Sequence, residues 1–288
     1  MKGKDLTMIK VMTDSSVQLT PEEIEKYKIT VVPLSITIDG KVYTDGVDIT
    51  RRDFVQKMET AHELPKTSQP SIGLFVQKFK ELTADGSHCL GIFLAKSLSG
   101  TIDAARQAAE MVDPEKITLV DSRFTDRAEG YQVLAACQDA EAGRSIDEIK
   151  AHLKQIQDNM HLDMMVVNLK NIIKGGRLGK LTGRVATLLN IRIALTMKDG
   201  VISIQRKGRG KKFSKKYDDD IVSTIAKLSQ VKKVCLSYVD TPELMHQLAD
   251  RIKNIRPDLD LLVKETSPII ATHAGTGAYA ILFYAEQS

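Results

Sequence analysis

Short apolar runs alternate with amphipathic stretches along the first half of the chain. Ile9 to Thr13, Ile29 to Ile38, Cys89 to Ala95 and Ile117 to Val120 read as strands, and the segments between them follow a helical period. Such alternation predicts a mainly parallel sheet with helices on its faces. Thr50 with Asp53, Ser71 after Pro70, and Ser145 with Glu148 supply N-cap chemistry at three helix starts, and Gly143 closes the helix before the last of them.

From Leu162-Asp163-Met164-Met165-Val166-Val167 onward the pattern changes. Asp199-Gly200 between Ile191 to Met197 and Val201 to Gln205 is a hairpin signal, so antiparallel pairing is expected here. A helix over Ile221 to Leu228, a strand over Val234 to Val239, a helix begun by Thr241-Pro242 and a strand over Leu259 to Val263 then restore β-α-β order. The expected fold is α/β with two domains: a mainly parallel-sheet N-terminal domain over residues 1–163 and a mixed-sheet C-terminal domain over 164–288. No Gly/Ser-rich linker separates them, so the ligand site is expected in the cleft they share.

Length and composition agree with this division, since 288 residues of 42% hydrophobic content can bury a sizeable core. No apolar stretch approaches the roughly 20 residues of a membrane-spanning helix, and Met1-Lys2-Gly3-Lys4-Asp5 lacks the apolar segment of a signal peptide. A cytoplasmic location is expected. Cys89, Cys137 and Cys235 are far apart and read as buried reduced thiols. The net charge of +4 is unevenly spread, with seven Lys or Arg between Arg206 and Lys216.

Three small polar segments carry the candidate chemistry. Ser97-Leu98-Ser99-Gly100-Thr101 lies between the strand ending at Ala95 and the helix-like Ile102 to Met111, where free N–H groups and hydroxyls can hold a carboxylate or phosphate. Ser99, Gly100 and Thr101 are the candidates there. Thr67-Ser68-Gln69-Pro70-Ser71 is stiffened by Pro70, which restricts Gln69 to extended conformations and makes Thr67 and Ser68 positioned donors. The turn His273-Ala274-Gly275-Thr276-Gly277 brings His273 from the far end of the chain, with glycines that permit close backbone approach. Asp14-Ser15-Ser16 either points hydroxyls into the cleft or forms an ordinary capping turn.

Other chemistries find less support. Lys174-Gly175-Gly176-Arg177-Leu178-Gly179 lacks the spacing of a phosphate-binding P-loop, and no metal-ligand cluster occurs. Ser99, His273 and Asp121 would compose a hydrolase triad, but no G-x-S-x-G elbow surrounds the serine. The run Arg206 to Lys216 is a solvated face, a dock for an acidic partner or phosphate, or a contact for nucleic acid or an anionic membrane.

Asp14-Ser15-Ser16, Val32-Pro33-Leu34, Asp45-Gly46, Thr67-Ser68-Gln69-Pro70-Ser71, Leu98-Ser99-Gly100-Thr101, Val120-Asp121-Ser122, Gly175-Gly176-Arg177 and His273-Ala274-Gly275 occur in the order found in the DegV family. The chain resembles that family over nearly its whole length. The resemblance implies a bacterial lipid carrier that sequesters one long-chain fatty acid and presents its carboxylate to the catalytic subunit of a fatty acid kinase. That kinase would make an acyl phosphate for phospholipid synthesis, the carrier itself performing no catalysis. It implies carboxylate binding by Thr67, Ser99 and His273, and kinase or phosphate contact by Arg177, Arg206 and Arg209. No cofactor, metal or nucleic acid is implied, and membrane contact would be transient at most.

Two departures from the family pattern stand out. Thr276 replaces a common proline, which should reshape the histidine turn, and Arg123-Phe124-Thr125-Asp126-Arg127 places charge near an expected cleft wall. An acyl chain on the order of sixteen carbons, at ~0.8 kcal/mol per buried CH₂, would supply roughly 10 kcal/mol, so neutral hydroxyls need only orient its carboxylate. Leu74, Phe75, Val185, Leu188 and Leu189 are the expected apolar lining. Two rivals remain: a serine esterase or acyltransferase using Ser99 and His273, and a nucleic-acid-binding regulator using Arg206 to Lys216.

Overall fold

The computed structural model describes residues 8–178 and 190–285. The first half runs β1 (Ile9–Asp14), α1 (Pro21–Tyr27), β2 (Thr30–Val32), β3 (Ser35–Ile38), β4 (Lys41–Thr44), α2 (Arg51–Thr60), β5 (Lys66–Ser68), α3 (Ile72–Thr83), β6 (His88–Phe93), α4 (Thr101–Val112), β7 (Ile117–Asp121), α5 (Asp126–Glu141) and α6 (Ile146–Asp158). The second runs β8 (Met160–Val166), α7 (Leu169–Lys174), β9 (Ile191–Lys198), β10 (Val201–Arg209), α8 (Gly210–Lys227), β11 (Val231–Tyr238), α9 (Pro242–Ile255), β12 (Asp260–Glu265), α10 (Pro268–Ala274) and β13 (Tyr279–Ala285). Residue 163 lies within β8.

The N-terminal sheet is parallel throughout, in the order β2-β1-β6-β7. Its strands are apolar on both sides because both sides are covered. Met12, Cys89 and Phe93 pack with α3 and α4 through Phe75, Phe79 and Ile102, while Val11, Leu90 and Ile92 pack with α5 and α6 through Val133, Ile149 and Leu153. Thr50 accepts from Asp53 N–H at 3.1 Å and Ser71 from Leu74 N–H at 3.2 Å, and Ser145 and Glu148 form a reciprocal capping box, each at its expected helix start.

Ile29 to Ile38 does not form one strand. Pro33 has no N–H to continue a ladder, so β2 ends beside β1 and β3 begins a separate antiparallel sheet of order β4-β3-β5. Ser15 secures the crossing, its N–H donating to the Val32 carbonyl at 3.1 Å and its Oγ accepting from Leu34 N–H at 3.0 Å.

The C-terminal sheet is mixed, in the order β10-β9-β8-β13-β11-β12. Asp199 and Gly200 both take positive φ at the β9–β10 hairpin, as a two-residue turn of this hand requires. Neighbours in β11 divide between two cores: Leu236 packs toward α8 and α9, and Cys235 toward α5. The three cysteines are buried and unbridged. Asp126 joins the halves, accepting from Ser237 Oγ at 2.7 Å and from Thr266 Oγ1. Among the described residues no helix is long and apolar enough to cross a membrane.

Candidate functional site

Helix α10 brings His273 to the edge of the small antiparallel sheet. Ser267 caps the helix start, Pro268 occupies its first turn, and Gly275 ends it at φ +78°, so His273 belongs to the last helical turn. The turn expected from sequence begins two residues later. Thr67 likewise sits on a strand, opposite Ile36 of β3, where strand alternation turns it inward and leaves Ser68 exposed. Thr67 Oγ1 lies 3.0 Å from His273 Nε2, joining residues 206 positions apart.

The β6–α4 junction supplies the second polar group. Gly100 is the N-cap of α4 and makes no side-chain cap, while Ser99 Oγ accepts from Thr101 N–H at 3.3 Å and lies 2.9 Å from the buried Thr101 Oγ1. A Cβ on Gly100 would stand 2.2 Å from Gln69 Oε1, so this glycine lets the two polar segments meet. Asp14 steadies the same junction from beneath, accepting from Ser16 N–H and Leu94 N–H at 2.9 Å each. Ser16 Oγ donates to buried Glu129, and the Ser16 N–H bond to Asp14 closes an Asx-type turn, but the next helix is capped by Thr20, so Asp14-Ser15-Ser16 is a framework turn that caps no helix. Burial lifts the Asp14 carboxyl to about 6.

Thr67, Ser99 and His273 line one narrow cavity of about 70 Å³, walled by Leu34, Leu94, Leu98, Met164, Ile172, Ile202, Ile269 and Ile270. A second, of about 20 Å³, shares the walls Met164, Ile270 and Ala274 and continues toward Val239 and Ala280. Leu74 and Phe75, expected here, instead pack between α3 and the parallel sheet, because that helix lies on the far face. Val185, Leu188 and Leu189 lie outside the described residues.

On its other side the Thr67–His273 pair borders an open polar groove of about 750 Å³ that also carries Lys66, Lys170 and Lys174. Arg177 lines both spaces, its NH1 donating to the Gly175 carbonyl at 2.6 Å and its Nε to the Leu98 carbonyl at 3.3 Å. Arg206 and Arg209 line neither. An irregularity in β10 between Ile204 and Arg206 changes the face presented, so Ile202 reaches the cavity while Arg206 lies over the Tyr217 ring and pairs with Asp220.

His273 is held neutral. Burial, and secondarily the Arg177 charge, push its pKa down to about 4. Its Nδ1 is buried without a partner among the described residues and faces Gly175, where an added Cβ would stand 2.4 Å away. Asp121 instead accepts from Lys96 and Arg123 N–H groups, so Ser99, His273 and Asp121 are not assembled as a triad.

The segment Arg123 to Arg127 does reach the cleft wall, Thr125 lining the first cavity and Asp126 the second, while its other residues are tied into the framework. Arg123 approaches Asp199 at the hairpin tip at 3.7 Å, Phe124 is buried, and Arg127 pairs with Glu23 at 2.6 Å. Gly175, Gln69 and most of the cavity wall were not singled out as site residues from sequence. Gly175-Gly176-Arg177 was the available signal for Gly175.

Comparison with known proteins bears on the family and the fold. The model described as "Uncharacterised protein, DegV family" matches residues 8–286. A DegV domain-containing protein of Streptococcus pneumoniae is 38% identical over 277 residues, covering 96% of this chain and 98% of its own. A fatty-acid-binding DegV family protein from Thermus thermophilus superposes with a TM-score of 0.87 at 28% identity, covering 97% of this chain and 100% of its own. The Streptococcus pneumoniae fatty acid kinase B3 protein, loaded with linoleic acid, shares the fold with a TM-score of 0.80 at 22% identity, covering 97% and 100%. With a matching family model across the described fold and this degree of relatedness, the chain belongs to the DegV family.

Proposed function

We propose that this protein binds a long-chain fatty acid and presents its carboxylate to a separate kinase for ATP-dependent acyl phosphate formation. The observation that carries the reading is the position of Thr67, His273 and Arg177 at the boundary between an apolar cavity and a polar groove in which four cationic side chains outnumber the acids Glu59 and Glu63. The acyl chain would lie in the cavity. The carboxylate would lie at the mouth, where a phosphoryl group arriving through the groove meets Lys66, Lys170, Lys174 and Arg177.

Neutral donors suffice at the mouth because each is backed by another. In the tautomer with a proton on Nε2, His273 donates to Thr67 Oγ1 and leaves the Thr67 hydroxyl proton free for a carboxylate oxygen. Thr101 Oγ1 donating to Ser99 Oγ frees the Ser99 proton in the same way. Such chains polarise their terminal hydroxyls. A carboxylate held this way keeps its nucleophilic charge, whereas a bidentate arginine clamp would stabilise the unreacted anion. The protein's part is orientation, and the phosphoryl transfer is the partner's. Arg206 and Arg209, on the outer part of β10, are proposed as docking contacts for that partner.

Seating a long chain requires movement. At 10–15 Å³ per water, the 70 Å³ cavity has room for about five to seven waters, far less than the chain needs. Met164 and Ile270 divide it from the second cavity, and Met164 has the rotatable bonds to swing aside.

Native mass spectrometry of the protein purified from a bacterial host tests the reading. One bound fatty acid per chain, identified after extraction, is the expected result. A ligand-free mass that persists after incubation with C14 to C18 fatty acids would overturn it.

A further inference from the structure

A separate cleft of about 1020 Å³ opens on the α8 and α9 side of the C-terminal sheet. Arg192, Lys211, Lys212, Lys215 and Arg251 line it, against only two acids, Asp218 and Asp219. Both acids are engaged. Tyr279 Oη donates to the buried Asp218 at 2.8 Å, and Arg251 pairs with Asp219. Arg192 donates to Ser214 Oγ at 2.9 Å, but Lys211, Lys212 and Lys215 pair with no carboxylate among the described residues.

An independent feature points to an anion. Thr241, the N-cap of α9, lines this cleft and makes no side-chain cap, and its Oγ1 is buried without a partner among the described residues. The first-turn N–H groups of a fourteen-residue helix therefore lack the acceptor that an N-cap threonine normally supplies. An anionic oxygen in the cleft would accept from both the hydroxyl and these N–H groups. Leu244 and Leu248 add an apolar floor beside the charges.

We propose that the α8–α9 cleft is a binding site for a phosphate-bearing small molecule of the pyrophosphate or nucleoside diphosphate class. Three unpaired ammonium groups in a concavity suit clustered phosphate oxygens, which lysine binds as a point charge. The concave shape favours a small ligand over the extended backbone of a nucleic acid. The inner wall includes Gly277 and Val167, while Thr67, Ser99 and His273 belong to a different cavity, so this inference does not rest on fatty acid binding.

Isothermal titration of the full chain with pyrophosphate, ADP and adenosine tests it, using wild type, the Lys211→Ala/Lys215→Ala double variant and Thr241→Val. Saturable pyrophosphate or ADP binding, weakened about tenfold or more in the double variant and measurably in Thr241→Val, is expected. Tighter binding of ADP than of pyrophosphate would also support the site, placing a base over Leu244. Absence of saturable binding, equal affinity in the double variant, or adenosine binding as tightly as ADP would overturn it. Duplex DNA binding lost in the double variant, without pyrophosphate binding, would also overturn it in favour of a nucleic-acid surface. Lipid content, measured in parallel, should be the same in all three proteins, so failure of either functional reading is seen separately.

Discussion

Gly175→Ala tests whether the His273 ring is held by backbone proximity. Gly175 has φ −67° and ψ −15°, a conformation alanine adopts freely, so the backbone alone would gain about 0.4–1 kcal/mol. The new methyl, however, would stand 2.4 Å from His273 Nδ1 and 2.9 Å from the Asn171 carbonyl oxygen. Overpacking of this kind costs about 1–3 kcal/mol, and displacement of the ring also weakens the Thr67 hydrogen bond. A net destabilisation of about 1–2 kcal/mol is expected. Removing the ring with His273→Ala eliminates the closer clash and leaves the carbonyl contact, so the same substitution should then cost about 1 kcal/mol less. Urea denaturation of the four proteins of this double-mutant cycle, read as midpoints at constant slope, measures the coupling. Additivity to within about 0.5 kcal/mol would refute the argument, because it would show that the alanine methyl and the imidazole do not compete for space.

Three further outcomes are expected. His273 should remain neutral down to about pH 4, visible as imidazole NMR signals that do not titrate between pH 5 and 7.5. Because its folded pKa lies below the ordinary 6.5, only the unfolded chain takes up the proton between those values, so wild type should lose stability relative to His273→Ala as pH falls from 6.5 toward 4. Thr67→Val and Ser99→Ala should retain bound lipid, each losing about 1–2 kcal/mol of carboxylate interaction, while kinase-coupled phosphorylation falls sharply; complete loss of lipid would show that the polar mouth dominates affinity. Charge reversal of Arg206 and Arg209 together should impair that coupled reaction and leave lipid content unchanged, and full coupled activity would return this stretch to an ordinary solvated face.

Local interactions made much of the architecture legible. Thr50, Ser71 and Ser145 cap their own helices within three residues, and Asp199-Gly200 defines its own turn, so these features depend on little beyond nearby sequence. The strand break at Pro33 was also encoded locally, in the missing N–H, but a continuous run of β-forming residues masked it. Thr67, Ser99 and His273 were legible as residue types suited to an anion. Their meeting was not, because it depends on α10 docking beside β5 and on the side to which strand alternation turns each hydroxyl.

The sequence by itself determined the order of strands and helices, the caps and the polar segments, because short-range hydrogen bonding and periodic burial act over a few residues. Tertiary structure alone decided which apolar side chains wall the cavity, why Gly175 must lack a methyl, and how Arg177 reaches the mouth while Arg206 turns toward α8. Those outcomes depend on groups distant in the chain competing for the same space, and on one irregularity in β10 that changes which face its following residues present.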